Sequence, residues 1–265
     1  MPRIKQNLVK GGVQAVSLAM RILEQLATSN EPCRLTDLAD TLDSSKTRIY
    51  RHLRTLINLG YVVQDPSTER YRASIRLAQL GFAVANQSNL ISIAGPIMRR
   101  VRDVLRLTVV LSKVDLNQVY VVEKTDGPSP LAISVLVGTK LDLHCNAQGK
   151  VALAFGPDEA VEAAIKAGLE VKTSRTIVDP KRLRKEIRDV RGRGWAMVWG
   201  EQITVLAGLA VPIFGKDQLL VATLSVLGSI DEISREPSAS QTAELMSASR
   251  EISASLAGTQ IAASS

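Results

Sequence analysis

Residues 35–60 constrain the fold of this chain more than any other stretch. Leu35, Leu38, Ala39 and Leu42 recur at i, i+3, i+4 and i+7, which places them on one face of a helix. Asp43-Ser44-Ser45 interrupts the pattern with turn and N-cap residues. Ile49, Leu53 and Leu56 then form a second stripe, closed by Gly60 where a left-handed C-terminal residue is favoured. Two short helices joined by so tight a turn need a third element to cover their apolar faces. The segment from Gln14 to Ala27 supplies it, with Val16, Ala19, Leu23 and Leu26 at helical spacing and Asn30-Glu31-Pro32 as its stop. After Gly60, the runs Tyr61 to Gln64 and Arg70 to Ala73 flank an Asp65 to Glu69 turn and predict a hairpin. Three helices and a hairpin over residues 1–74 make a small winged helix-turn-helix domain.

The third helix carries the chemistry. With Ile49, Leu53 and Leu56 turned inward, the wheel puts Ser44, Thr47, Arg51, Arg54 and Asn58 on the opposite face, with Arg48 at its edge. That face holds hydrogen-bond donors and no acid. Arginine pairs bidentately with guanine in the major groove, Thr and Asn reach other base edges, and the remaining cations suit phosphates. Ser45 and Lys46 open the same helix, and Arg70 and Arg72 place charge on the hairpin, in the position of a wing along the backbone. His52 lies near the buried stripe and reads as a packing or capping residue; Tyr50, Tyr61 and Tyr71 read as core or wing packing.

The charge distribution agrees. Residues 1–82 carry 12 Lys/Arg against 7 Asp/Glu, whereas the other 183 residues carry 21 against 19, so most of the excess of +7 sits in the first third. Two cysteines, Cys33 and Cys145, exclude a disulfide framework and fit a reducing cytoplasm; with only His52 and His144 beside them, little is left for metal chemistry. The basic N-terminus has no apolar run behind it, and the longest apolar stretches, Ile203 to Phe214 and Leu219 to Ile230, are too short to span a bilayer, so neither secretion nor a membrane partner is expected. No Gly-rich phosphate loop, HExxH motif or nucleophile elbow is present, and no cofactor is expected.

Residues 75–107 return to a helical pattern, expected as a linker of two segments divided near Gly95-Pro96, because proline cannot donate the backbone bond there. From residue 108 to 258 an α+β domain is expected. Strands are predicted at Thr108 to Val114, Gln118 to Glu123, Ala132 to Leu143, Trp195 to Val198, Leu206 to Phe214 and Leu219 to Leu227. Helices are predicted at 147–155, 157–168 and 180–191 and from Pro237 through Leu256, with an Ala/Ser-rich tail expected to fray. Strands joined by tight turns imply a largely antiparallel sheet.

These pieces, in this order, resemble the IclR (isocitrate lyase regulator) family of bacterial transcription factors. The matching residues are Val13-Gln14-Ala15-Val16 through Ile22-Leu23, Leu35-Thr36-Asp37-Leu38-Ala39, Lys46-Thr47-Arg48-Ile49-Tyr50-Arg51, Leu143-His144 through Gly149-Lys150, Arg193-Gly194-Trp195-Ala196, and Ala210-Val211-Pro212-Ile213 followed by Leu224-Ser225-Val226. The resemblance implies a winged helix-turn-helix domain, a helical linker and a GAF-like effector domain that binds a small organic or aromatic acid. It also implies homodimers or homotetramers on pseudo-palindromic operator DNA. The DNA-reading positions it implies are Lys46, Thr47, Arg48 and Arg51, with Arg34 where the family usually has a Ser/Thr cap; Arg34 weakens that cap and adds a cation for phosphate.

For the effector, the resemblance points to Asn146, Ala147 and Gln148 and to the segment from Val198 to Gly208. The residues themselves add that a helix start has free N–H groups suited to a carboxylate. The family often has a run of acids after the Gly-aromatic-Ala strand and a cysteine before the Ala-x-Pro strand. Here the positions read Val198-Trp199-Gly200-Glu201 and Gly208, so a larger or more apolar acid is expected, with Gly208 leaving room for it and Trp199 either lining or filling the pocket.

Two other readings stay open. One is a DNA-binding protein whose second domain only dimerises. The other is an enzyme using His144 and Cys145, which as neighbours on a strand would point to opposite faces and make no dyad.

Overall fold

The computed structural model describes residues 13–85, 89–115, 118–128 and 135–262, with only the backbone described at 82–85 and 258–262. Contacts divide the chain into a unit of residues 1–87 and a unit of residues 88–265.

In the first unit, helices α1 (Gln14–Thr28), α2 (Leu35–Thr41) and α3 (Lys46–Asn58) are followed by the hairpin β1 (Val62–Gln64) and β2 (Tyr71–Ala73) and by α4 (Ile75–Ala85). Leu18, Ile22, Leu23 and Leu26 of α1 meet Leu38 and Ala39 of α2 and Ile49, Leu53 and Leu56 of α3, with Val62 and Tyr71 closing the core from the hairpin. Each fully buried aliphatic side chain contributes roughly 1.5–3 kcal/mol, so this stripe, rather than helix propensity, holds α3 in place. Ser45 caps α3 by accepting the Arg48 N–H at 3.4 Å, and Gly60 ends it at φ +79°, a backbone conformation that suits glycine. The hairpin register is antiparallel, Val62 opposite Ala73 and Gln64 opposite Tyr71. Cys33 extends it, exchanging backbone hydrogen bonds of 2.8 Å with Tyr71 in both directions.

The second unit is an α+β sandwich. Helix α5 (Leu90–Leu105) leads into β3 (Thr108–Asp115) and β4 (Gln118–Thr125); helices α6 (Ala147–Phe155), α7 (Ala160–Ala167) and α8 (Pro180–Arg193) follow, then β5 (Ala196–Trp199), β6 (Leu206–Phe214), β7 (Leu220–Ser229) and α9 (Ala239–Ala262). The sheet runs β4-β3-β7-β6-β5 with every neighbouring pair antiparallel. Leu111, Leu209, Leu224 and Val226 pack on α5 and α9, while Ala196, Val198 and Ala210 pack with α6 and α8. None of the helices is long and apolar enough, over the described residues, to cross a membrane.

Five expectations change. Gly95-Pro96 does not divide the helical stretch: α5 runs through Pro96. An internal proline costs about 3 kcal/mol. Burying Leu90, Ala94, Ile97, Met98 and Val101 against the sheet and α9 outweighs it. For the same reason α5 is part of the second unit's core, not a free connector. Of the strand expected at Ala132 to Leu143, residues 132–134 lie outside the described residues, and 135–143 make no strand; Gly138, Thr139 and Leu141 bond to the Val119 and Val121 backbone and Lys140 bridges Tyr120. Helix α9 starts at Ala239, two residues after Pro237, because Ser238 and Gln241 cap each other reciprocally (3.2 and 3.0 Å). Finally, the Ala/Ser-rich tail continues this helix as far as Ala262, and 263–265 lie outside the described residues.

Candidate functional site

On α3 the side chains of Lys46, Thr47, Arg48, Arg51, Arg54 and Asn58 are exposed, as Ile49, Leu53 and Leu56 are buried on the other face. Arg34 and Arg72 are exposed as well, and Ser44 and Arg70 are half-buried. No ion pair among the described residues engages any of these cations, which leaves the whole set available to an external anion. The Arg34 backbone N–H donates to Asp37 Oδ2 at 3.3 Å, but its side chain has no acceptor to return, so only half of a capping box is formed.

Tyr50 departs from the core or wing packing expected for it. It is 44% exposed and lies i+3 from Thr47 and one residue from Arg51, on the face the cations occupy. The apolar periodicity held the signal: Tyr50 directly follows Ile49, and adjacent helix positions diverge by about 100°. Tyr71 is buried, and Tyr61 packs against the core with the Arg76 guanidinium 5.1 Å from its ring centroid.

His52 sits partly buried beside the stripe, and its pKa is held below the ordinary 6.5 by burial and then by the charges of Arg48 and Arg51. A depressed histidine contributes stability that is present above 6.5 and lost as pH falls, since the unfolded chain takes the proton more readily. The first unit is therefore expected to lose stability below about pH 6.5, and His52→Gln to flatten that part of the slope in denaturant titrations between pH 5 and 7. An unchanged slope would mean His52 is solvated.

In the second unit the structure separates the residues expected around one effector. Asn146 caps α6, accepting the Gln148 N–H at 3.0 Å, so one donor of that helix start is already used; its amide also donates to Gln202 at 2.9 Å. Gly149 presses the first turn onto the chain before it, where a Cβ would come within 2.5 Å of Asp142 O. Gln148 points into the sheet: its amide nitrogen donates to Val110 O at 3.0 Å and to the Ser225 hydroxyl, and its oxygen accepts from Ser112. Two residues along the same face of β7, the Thr223 hydroxyl is buried with no hydrogen-bond partner among the described residues.

Val198 faces the α6 and α8 side. Gly208 does too, but it leaves no room: a Cβ there would lie 2.9 Å from Leu227 Cδ2 and 3.7 Å from Ala147 Cβ. Trp199 points to the opposite face, packs against the α5–α9 core and donates its indole N–H to Ile230 O at 3.4 Å. Glu201 lies beyond the end of β5 and accepts from Lys150 Nζ at 2.7 Å. Lys150 is fully buried. Burial pushes the Glu201 carboxyl above its usual range, and the Lys150 ammonium pulls it back.

His144 and Cys145 lie in the turn before α6, not on a strand. The His144 ring is spent on Glu170 O at 2.9 Å. Burial and then Asp142 push the Cys145 thiol up to about 12, so it stays protonated at neutral pH and is no nucleophile.

Residues 15–66 match the IclR helix-turn-helix domain, and residues 82–254 match the bacterial transcriptional regulator IclR C-terminal family. The chain is 30% identical over 246 residues to the HTH-type transcriptional regulator KdgR of Escherichia coli, covering 92% of this chain and 93% of that protein. It is 25% identical over 260 residues to the E. coli transcriptional repressor IclR, covering 97% and 95%. Among solved structures, an IclR transcriptional regulator from Alicyclobacillus acidocaldarius superposes with a TM-score of 0.79 at 27% identity, covering 92% of this chain and 98% of that one. An IclR homologue from Microbacterium hydrocarbonoxydans, in complex with 4-hydroxybenzoate, shares the fold at TM-score 0.81 and 21% identity, covering 91% and 98%. This chain belongs to the IclR family of bacterial transcriptional regulators.

Proposed function

We propose that this regulator binds a two-fold symmetric operator as a homodimer or homotetramer and that a small organic acid held in its second unit changes its operator affinity. The observation that carries the DNA half is the unpaired cationic face of α3, held rigidly by the Ile49, Leu53 and Leu56 stripe. Thr47, Arg51 and Arg54 project from its centre toward base edges. Arg34, Ser44, Ser45, Lys46 and Arg48 at its start and Arg70 and Arg72 on the hairpin suit flanking phosphates. One such helix reads only a few base pairs, so half-sites should be spaced about one helical turn, roughly 10 base pairs, or a multiple of it.

For the effector, the reading rests on the polar strip between α6 and the sheet. Ser112, Gln148 and Ser225 bond to one another there, while the Thr223 hydroxyl has no partner among the described residues. An acid bearing an aromatic or aliphatic body would engage Thr223 on this strip. The hydroxybenzoate complex of the Microbacterium homologue supports an acid of that kind. Trp199 and Glu201 belong to a different place on this reading.

The test combines footprinting of the full chain with a thermal-shift screen of monocarboxylic acids. The expected result is a symmetric footprint and at least one acid that raises the melting temperature and shifts operator affinity, by about 1–3 kcal/mol. Thr223→Val should weaken that acid and leave operator binding unchanged. An asymmetric footprint would overturn the two-fold operator, and acid binding indifferent to Thr223→Val would move the effector elsewhere.

A further inference from the structure

The open edge of β5 borders a cleft of about 460 Å³ that the reading above leaves unused. Four arginines line it, Arg175, Arg182, Arg193 and Arg235, against two acids, Glu186 and Glu201. Both acids are committed. Glu186 pairs with Arg193 at 3.1 Å, and Glu201 with the buried Lys150. Arg182 and Arg235, both exposed, have no side-chain partner among the described residues.

The other two guanidinium groups are fixed in orientation. Arg175 lies 4.2 Å over the Trp199 ring and gives one N–H to Thr204 O at 3.2 Å. Arg193 lies 4.2 Å over the Trp195 ring and donates to Trp195 O at 2.8 Å. Gly200 permits the first of these stacks: it sits at φ +69°, and a Cβ would strike Arg175 Nη1 at 2.5 Å. Thr173 and Thr176 hold the same loop, donating to Gly200 O and Glu201 O, both at 2.7 Å. A guanidinium stacked on an aromatic ring keeps the planar fork that grips carboxylate or phosphate, with little further ordering needed on binding.

We propose that this cleft is a second ligand site, distinct from the strip under α6, that binds a small metabolite carrying two or three negative charges on carboxylate or phosphate oxygens. The charge count sets the class. Four lining cations against two acids leave an excess that a monocarboxylate does not neutralise, and Lys150 already answers Glu201 from behind. Trp199 and Glu201 thereby acquire a role: one braces Arg175, and the other anchors the loop that carries the cleft wall.

The probes are citrate and inorganic pyrophosphate, titrated calorimetrically into the full-length protein at constant ionic strength set with chloride. At least one is expected to bind saturably with one site per chain, citrate alone identifying a carboxylate site and pyrophosphate alone a phosphate site. Arg182→Gln/Arg235→Gln should weaken it at least tenfold, and each single change should act in the same direction. Arg184→Gln removes a cation paired with Glu162 outside the cleft and should leave the affinity unchanged. Arg182 and Arg235 are exposed, so the variants' melting temperatures in chloride should match wild type and their monocarboxylate binding should persist. Absence of saturable binding by either probe would overturn the proposal. So would binding that the double variant leaves intact.

Discussion

Glu201→Ala is expected to cost about 3–5 kcal/mol of stability in the second unit. The reason is the residue left behind. Lys150 is fully buried on α6, and its ammonium makes its ion pair with Glu201 Oε1 at 2.7 Å. Removing the carboxylate strands a charge in a region of low dielectric, and the loss approaches the whole stability of a marginal domain. Attraction between the two groups does not itself supply that energy, because desolvating both offsets most of it. Lys150→Met/Glu201→Leu is accordingly expected to be close to neutral, although it removes both charges.

Both tryptophans, Trp195 and Trp199, lie in the second unit, so fluorescence-detected urea unfolding of the full chain reports on that unit. A lower midpoint with an unchanged slope for Glu201→Ala, together with recovery in the double variant, is the expected pattern. A loss under 1 kcal/mol would mean that the Lys150 ammonium reaches water once its partner is gone.

The same pair shows where the sequence stops being legible. The α6 segment from Gly149 to Ala154 is apolar all round except for Lys150, which signals a buried charge in need of a partner. Nothing in the spacing says that the partner lies 51 residues on. Local patterns fared better. The stripes of α1, α2 and α3, the Ser45 cap, Gly60 and the hairpin turn are settled by neighbours within a few positions, and the fold follows the sequence there. Some of the expectations that changed are local too, as with the Ser238 and Gln241 cap that sets the start of α9 and the strand alternation that turns Trp199 to the face opposite Val198. Several others depend on packing between distant segments: Pro96 stays helical because of what α5 buries, and Gly208 is filled by Leu227 from the neighbouring strand. The arginine cleft is the extreme case, since its cations come from positions 175 to 235 and converge only once β5 has become an edge strand.

Arg51→Ala is expected to weaken binding to the specific operator by roughly 1–3 kcal/mol while changing affinity for random DNA much less. The contrast rests on position. Arg51 is exposed one turn beyond Thr47, opposite Leu53, which is fully buried, so the helix cannot rotate it away from the groove without exposing its own core stripe. Lys46 stands at the first turn of α3, where the proposed docking would set its cation against backbone phosphates. Lys46→Ala should therefore lower specific and random binding together and reduce the salt dependence by about one unit of slope, as each neutralised phosphate contributes about 0.9. Measuring both variants on operator and random duplexes across a salt series separates the two roles. Since both side chains are exposed and make no ion pair among the described residues, their melting temperatures should match wild type, and any loss of affinity then belongs to the interface. If Arg51→Ala lowers specific and random binding equally, Arg51 is a phosphate contact, and base recognition passes to the remaining residues of that face, Thr47, Tyr50 and Arg54.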